Sequence, residues 1–138
     1  MHLAHHLTAL GRLRAEPAAH IAVLRAAEPE PDGDPAALLT AEEEVRGDHE
    51  ALLVLLSRQW GEPHVLDLGP HLLAAADGAG LPEPEGSLCW RVARLAFWTV
   101  EGRWIGLGLA RRSEAVPLQL LAAVGERGRQ APAPSVPG

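Results

Sequence analysis

The chain contains no lysine, asparagine or tyrosine, and only one cysteine, one methionine and one phenylalanine among 138 residues. Without lysine there is no Schiff-base amine and no P-loop ammonium, and without tyrosine there is no phenolic acid or base. Catalysis, if any, is left to His, Asp, Glu, Ser, Thr, Arg or Cys89. A lone cysteine forms no internal disulfide and completes no CxxC redox or zinc motif, which fits a reducing compartment.

Long apolar runs are also missing. No segment approaches 18 consecutive apolar residues, and Arg12 and Arg14 stand where a secretory signal needs its apolar stretch, so a cytoplasmic protein without a membrane segment is expected. The net charge of -6 argues against nucleic acid as a partner, because phosphate contacts need a basic face. The four serines, at 57, 87, 113 and 135, lie in neither GxSxG nor SxxK context. Glycines 102, 106 and 108 are spaced wrongly for GxGxxG.

What is present is a composition weighted toward Ala, Gly, Pro and Arg, the mark of a GC-rich bacterial genome, and 47% hydrophobic residues, enough for one domain with its own core. Charge is segregated: residues 41–89 hold ten acids and two arginines, residues 90–138 seven arginines and three acids. Either the two segments offset each other inside one fold, or a basic surface awaits an acidic partner.

Leu3, Leu7, Leu10 and Leu13 have helical spacing up to Pro17, and a second helical segment is read through Ile21, Val23 and Leu24. The stretch "EPEPDGDPAA" reads as a linker. The resulting division is a helical arm at 1–28, an acidic Pro-rich linker at 29–39, a domain at 40–125 and a disordered tail at 126–138. "TAEE" at Thr40 has the capping-box arrangement, with Glu42, Glu43 and Glu44 in the first turn. It predicts a helix over 41–60 whose stripe is Val45, His49, Leu52, Leu56 and Trp60, widened by Leu53, with Gly61 and Pro63 as the stop.

"HVLDLG" suits a short strand, "PHLLAAADGAG" a short helix or turn closed by Gly78, and "LPEPEGS" a loop. Glu101-Gly102 then makes a hairpin turn, pairing Val100 with Arg103, Trp98 with Ile105, Phe97 with Gly106 and Leu95 with Gly108. One face carries Trp98, Ile105, Leu107 and Leu109, and the other sets Phe97 and Leu95 over bare glycine backbone. Residues 115–124 read as a strand with Pro117 early or at an edge, a helix being the alternative.

Among groups that could carry chemistry, His2 and His6 have i, i+4 spacing with His5 and His20 near, but terminal histidines are usually solvated. His64, Asp67 and His71 have the composition of a facial triad without its spacing, and Asp67 reads better as a cap for the next turn. His49 has acids beside it that do not face it and reads as a packing residue. Cys89 reads as a small buried hydrophobe. No catalytic constellation, metal or cofactor is expected. The hairpin register places Arg91 opposite Arg112, with Arg94 and Arg111 close by. This cluster is neutralised by Glu114 and the acidic helix, or it binds an anion or acidic partner with Trp90 as aromatic anchor.

The pieces "LLSRQWGEP", "DLGPHL", "LPEPEGSL" and "FWTVEGRWIGLGLARRSEAVPLQLLAAV" resemble those of small uncharacterised proteins of high-GC actinobacteria, in which a helix ending in WGxP precedes a Trp-flanked hairpin. The likeness covers residues 41–125. It implies a compact α+β domain and brings no catalytic residues.

The expected fold is therefore α+β: a small antiparallel sheet of three to four strands against one main helix, preceded by a helical N-terminal arm. Trp60, Trp98, Ile105, Leu107, Leu109, Leu52 and Leu56 are the expected core. The expected function is a non-enzymatic protein-binding module, immunity-like or regulatory, with another protein as partner. The candidate surface is Trp90, Arg91, Arg94, Arg111 and Arg112. The alternatives are a metal-dependent hydrolase using His49, His64 and His71, and a structural protein that self-associates through the N-terminal arm.

Overall fold

A computed structural model describes residues 3–29, 31–111, 113 and 116–133. Helix α1 spans Leu3–Ala15, strand β1 His20–Ala26 and helix α2 Pro35–Trp60. Then come β2 (His64–Asp67), α3 (Gly69–Ala76), the single turn α4 (Glu85–Leu88), β3 (Arg94–Val100), β4 (Arg103–Ala110) and β5 (Gln119–Val124). The strands form one antiparallel sheet in the order β1-β5-β4-β3-β2. Among the described residues the fold is α+β with five strands, where three to four were expected.

The additional strand is β1. The segment expected to form a second helix is a strand, because Ile21 and Val23 are β-branched and fit a pleated surface better, and a short apolar run has no decisive period. β1 pairs along β5 from His20↔Val124 to Ala26↔Gln119, with a bulge between Val23 and Arg25. The bulge turns Arg25 toward α2, where it meets Glu44 and Asp48.

The main helix starts six residues before its expected first residue. Asp34 is its N-cap, accepting from the Ala37 N–H at 2.8 Å, and Pro35 occupies the first turn, where its missing N–H costs nothing. Thr40, expected to cap, lies inside the helix and donates its hydroxyl to the Ala36 carbonyl at 3.1 Å. The prolines of the stretch read as linker include the one that opens the helix. At the other end Gly61 adopts a φ of 88° and donates its N–H to the Ser57 carbonyl, which stops the helix as expected.

The β3–β4 hairpin follows the expected pairs Val100↔Arg103, Trp98↔Ile105 and Phe97↔Gly106. Its two-residue turn has positive φ at Glu101 (52°) and Gly102 (77°), the type I′ pattern that matches strand twist. Strand alternation then sorts side chains into two cores. Trp98, Ile105, Leu107, Leu120, Ala122 and Val124 face α1 and α2, where Leu10, Leu13, Val45, Leu52 and Leu56 meet them. Leu95, Phe97, Trp104, Leu121 and Ala123 face the opposite way, covered by Leu66, Leu68, Leu88, Cys89 and Val92 and by Leu72 and Ala75 of α3.

Two glycines make the second core possible. A Cβ on Gly106 would lie 2.6 Å from Leu95 Cδ2, and one on Gly108 would lie 2.9 Å from Val92 Cγ1. Trp60 and Leu109, expected as core, are partly buried against the first cluster. Residues 119–124 are a strand, as favoured, but central between β1 and β4. Pro117 lies just before it, outside the ladder, where a missing N–H is tolerated. Residues 134–138 of the expected tail lie outside the described residues. Among those described, no helix is long and apolar enough to cross a membrane.

Candidate functional site

After α4 the chain anchors itself with buried Leu88, Cys89 and Val92, and the Arg91 and Val92 N–H groups both donate to the Leu88 carbonyl, at 2.9 and 2.8 Å. The turn so formed has no room inside for residue 90. Trp90 is 60% exposed, whereas Trp98 and Trp104 are almost completely buried.

The arginines differ from the expected arrangement by one residue. Val92 bridges Ala110, and the Arg111 N–H donates to the Arg91 carbonyl at 3.1 Å, so Arg91 stands beside Arg111 and not opposite Arg112. One residue of β3 is taken up between Ala96↔Leu107 and this bridge, as Val92 seats over Gly108. Arg91 is half-buried and donates to Gln119 Oε1 at 2.8 Å. Arg94, at the start of β3 opposite Asp67, and Arg111 are exposed, and among the described residues neither forms an ion pair. Arg112 and Glu114 lie outside the described residues. The result is an exposed indole with two guanidinium groups that have no ion pair among the described residues and a third, fixed one at the open end of the hairpin.

A polar cluster that the sequence reading missed lies under α1. His6, read as solvated, is 1% exposed, and its Nε2 hydrogen-bonds Asp48 Oδ2 at 2.9 Å. Arg25, brought inward by the β1 bulge, donates to the same oxygen at 3.0 Å and to Glu44 at 2.7 Å. Burial pushes the Asp48 carboxyl up, but the hydrogen bonds from His6 and Arg25 and the Arg25 charge outweigh it, so the group is held below its ordinary value. Glu44 and Asp48, four apart on α2, were the available clue, since an i, i+4 acid pair of like charge is relieved by a cation between them. A histidine paired with an aspartate has the form of a base and its orienting acid, but this ring is sealed between helices and reaches no solvent-borne substrate. It staples α1 to α2 and β1.

His49, His64 and His71 stay apart, while His5 and His20 line one cavity beside α1. His49 belongs to α2 on one side of the sheet, and burial lowers its pKa despite the opposing charge of Glu50. His64 lies against Phe97 on the other side, with ring centroids 5.3 Å apart, and His71 sits on α3. Asp67 caps the following turn, accepting from the Gly69 N–H at 2.9 Å. His2 lies outside the described residues. Among those described, no three His, Cys, Asp or Glu side chains are placed to hold a metal ion. Cys89 is buried, donates to the Gly86 carbonyl at 3.3 Å, and has its pKa raised by burial above all.

Compared with family models, curated proteins and solved structures, the chain matches none of them.

Proposed function

We propose that the chain is a non-enzymatic protein-binding module, immunity-like or regulatory, that docks an acidic segment of another protein on Trp90, Arg91, Arg94 and Arg111. The observation that carries this reading is Trp90, 60% exposed beside arginines without an intramolecular acid among the described residues. Tryptophan and arginine are among the side chains most often found at the energetic centre of interfaces. Arg94 and Arg111 supply the attraction, and Arg91 is pre-positioned by Gln119. The resemblance to actinobacterial proteins with a Trp-flanked hairpin belongs to the same proposal.

Native mass spectrometry of the protein isolated from its own host tests it. Wild type and the control Arg46→Glu, on an exposed position of α2, are expected to carry the same partner chain. Trp90→Ala and Arg94→Glu are expected to lose it, and salt near 0.5 M to weaken it, because exposed charges are screened within about 4 Å at that strength. A partner retained equally by all four proteins would overturn the assignment of this surface.

A further inference from the structure

We propose that the cavity at the tip of the β3–β4 hairpin, opposite the Trp90 end, is a binding site for a phosphate-class oxyanion, held by Arg14, Arg103 and Arg127. The cavity measures about 470 Å³, and its remaining lining includes Gly11, Val100 and Glu101. Three guanidinium groups meet there against one lining carboxylate.

Arg103 is the fixed member. It is 7% exposed, and its Nε and two terminal nitrogens donate to the carbonyls of Gly125 (2.9 Å), Arg14 (2.7 Å) and Ala18 (3.0 Å). A guanidinium carries five N–H groups, so two remain uncommitted. Among the described residues no carboxylate lies within ion-pair distance of Arg103 or Arg127. Burial first, and then the like charge of Arg127, lower the Arg103 pKa, with Glu16 offsetting them in part. The pocket therefore holds positive charge that an anion would relieve.

Arg127 donates to the Ala15 carbonyl at 3.3 Å and is otherwise exposed. Arg14 lies over the Trp60 ring, 5.5 Å from its centroid, and pairs with Glu101 at 3.3 Å. Glu101, at the turn tip with a side chain 85% exposed, stands at the mouth as an internal carboxylate on Arg14. An entering oxyanion displaces it. The carbonyls at the end of α1 would repel an anion, but those of Arg14 and Ala15 already accept from Arg103 and Arg127. With Glu101 counted, the lining carries two excess positive charges, which match a phosphate dianion better than a single carboxylate.

Inorganic phosphate titrated calorimetrically at constant ionic strength, with chloride as balance, tests the site. Wild type is expected to bind. Arg127→Gln is expected to bind about tenfold more weakly, because a charge-assisted contact is lost. Glu101→Gln is expected to bind several-fold more tightly, because the competing carboxylate is gone, and Arg46→Gln, on an exposed position of α2 outside the cavity, to match wild type. No heat above the chloride control, unchanged affinity in Arg127→Gln, or unchanged or weaker affinity in Glu101→Gln would each overturn the proposal. Glu101→Gln changes only an exposed tip residue, so the test stands even if Arg127→Gln folds poorly.

Discussion

Residue 125 is glycine because the indole nitrogen of Trp104 occupies the space of its side chain: a Cβ there would lie 1.9 Å from Nε1. Both residues are buried, and the Gly125 N–H donates to the Trp104 carbonyl at 3.2 Å, so neither side of the contact has room to retreat. Gly125→Ala is therefore expected to destabilise by about 3 kcal/mol or more, at the upper end of overpacking costs. Urea unfolding followed by tryptophan fluorescence measures it, and a loss under about 1 kcal/mol would mean the ring moves freely.

The staple through Asp48 makes a pH-dependent prediction. Its carboxyl is held below the ordinary value of 3.8, so it contributes stability above that value and loses it as pH falls through the depressed folded value. Asp48→Asn is expected to cost about 3 kcal/mol at pH 7, since it leaves Arg25 with Glu44 alone and weakens the contact to His6. The gap between the two proteins should hold from pH 7 to about pH 5 and close below pH 4. Urea midpoints across that range give the result, and a gap that widened on acidification would contradict the pairing.

Arg103 supplies three hydrogen bonds that lysine cannot supply from one compact ammonium in the same fork geometry. Arg103→Lys, which keeps the charge, is expected to lose about 2 to 3 kcal/mol through carbonyls left without donors. If thermal unfolding showed the two proteins equal, the clamp on the end of α1 would not contribute to stability.

Cys89 should be chemically quiet. Its thiol is buried and its pKa is raised from the ordinary 9.0, so thiolate is scarce at pH 8 and rises only at higher pH. A disulfide reagent is expected to label the native protein far more slowly than the protein in urea. Equal rates would show that α4 opens readily.

The hairpin was legible because its signal is local: a two-residue turn with glycine, flanked by strands whose register follows from counting. The main helix was legible in its centre and C-terminal stop, but not at its start, where Asp34-Pro35 looks like linker chemistry unless it is read as cap and first turn. β1 was not legible, because its identity comes from pairing with a strand about a hundred residues away. The same holds for His6, whose partner is 42 residues distant. At the candidate surface the residue types are legible in the sequence, whereas the exposure of Trp90 comes from the turn after α4 and the pairing of Arg91 from one residue of slippage that no local pattern announces.

The position of β5 bears on how the molecule comes into being. The strand made last lies between the strand made first and the hairpin, so β1 has no partner, and β4 only one, until residue 124 has been synthesised. Closing a loop that spans most of the chain is slow, and the unfilled slot between β1 and β4 invites foreign strands in the meantime. A chain cut short before Gln119 would thus keep its helix and hairpin but lose the strand that joins its two ends. Such a fragment should be prone to aggregate, because the missing piece is a central strand of the sheet and not a dispensable edge.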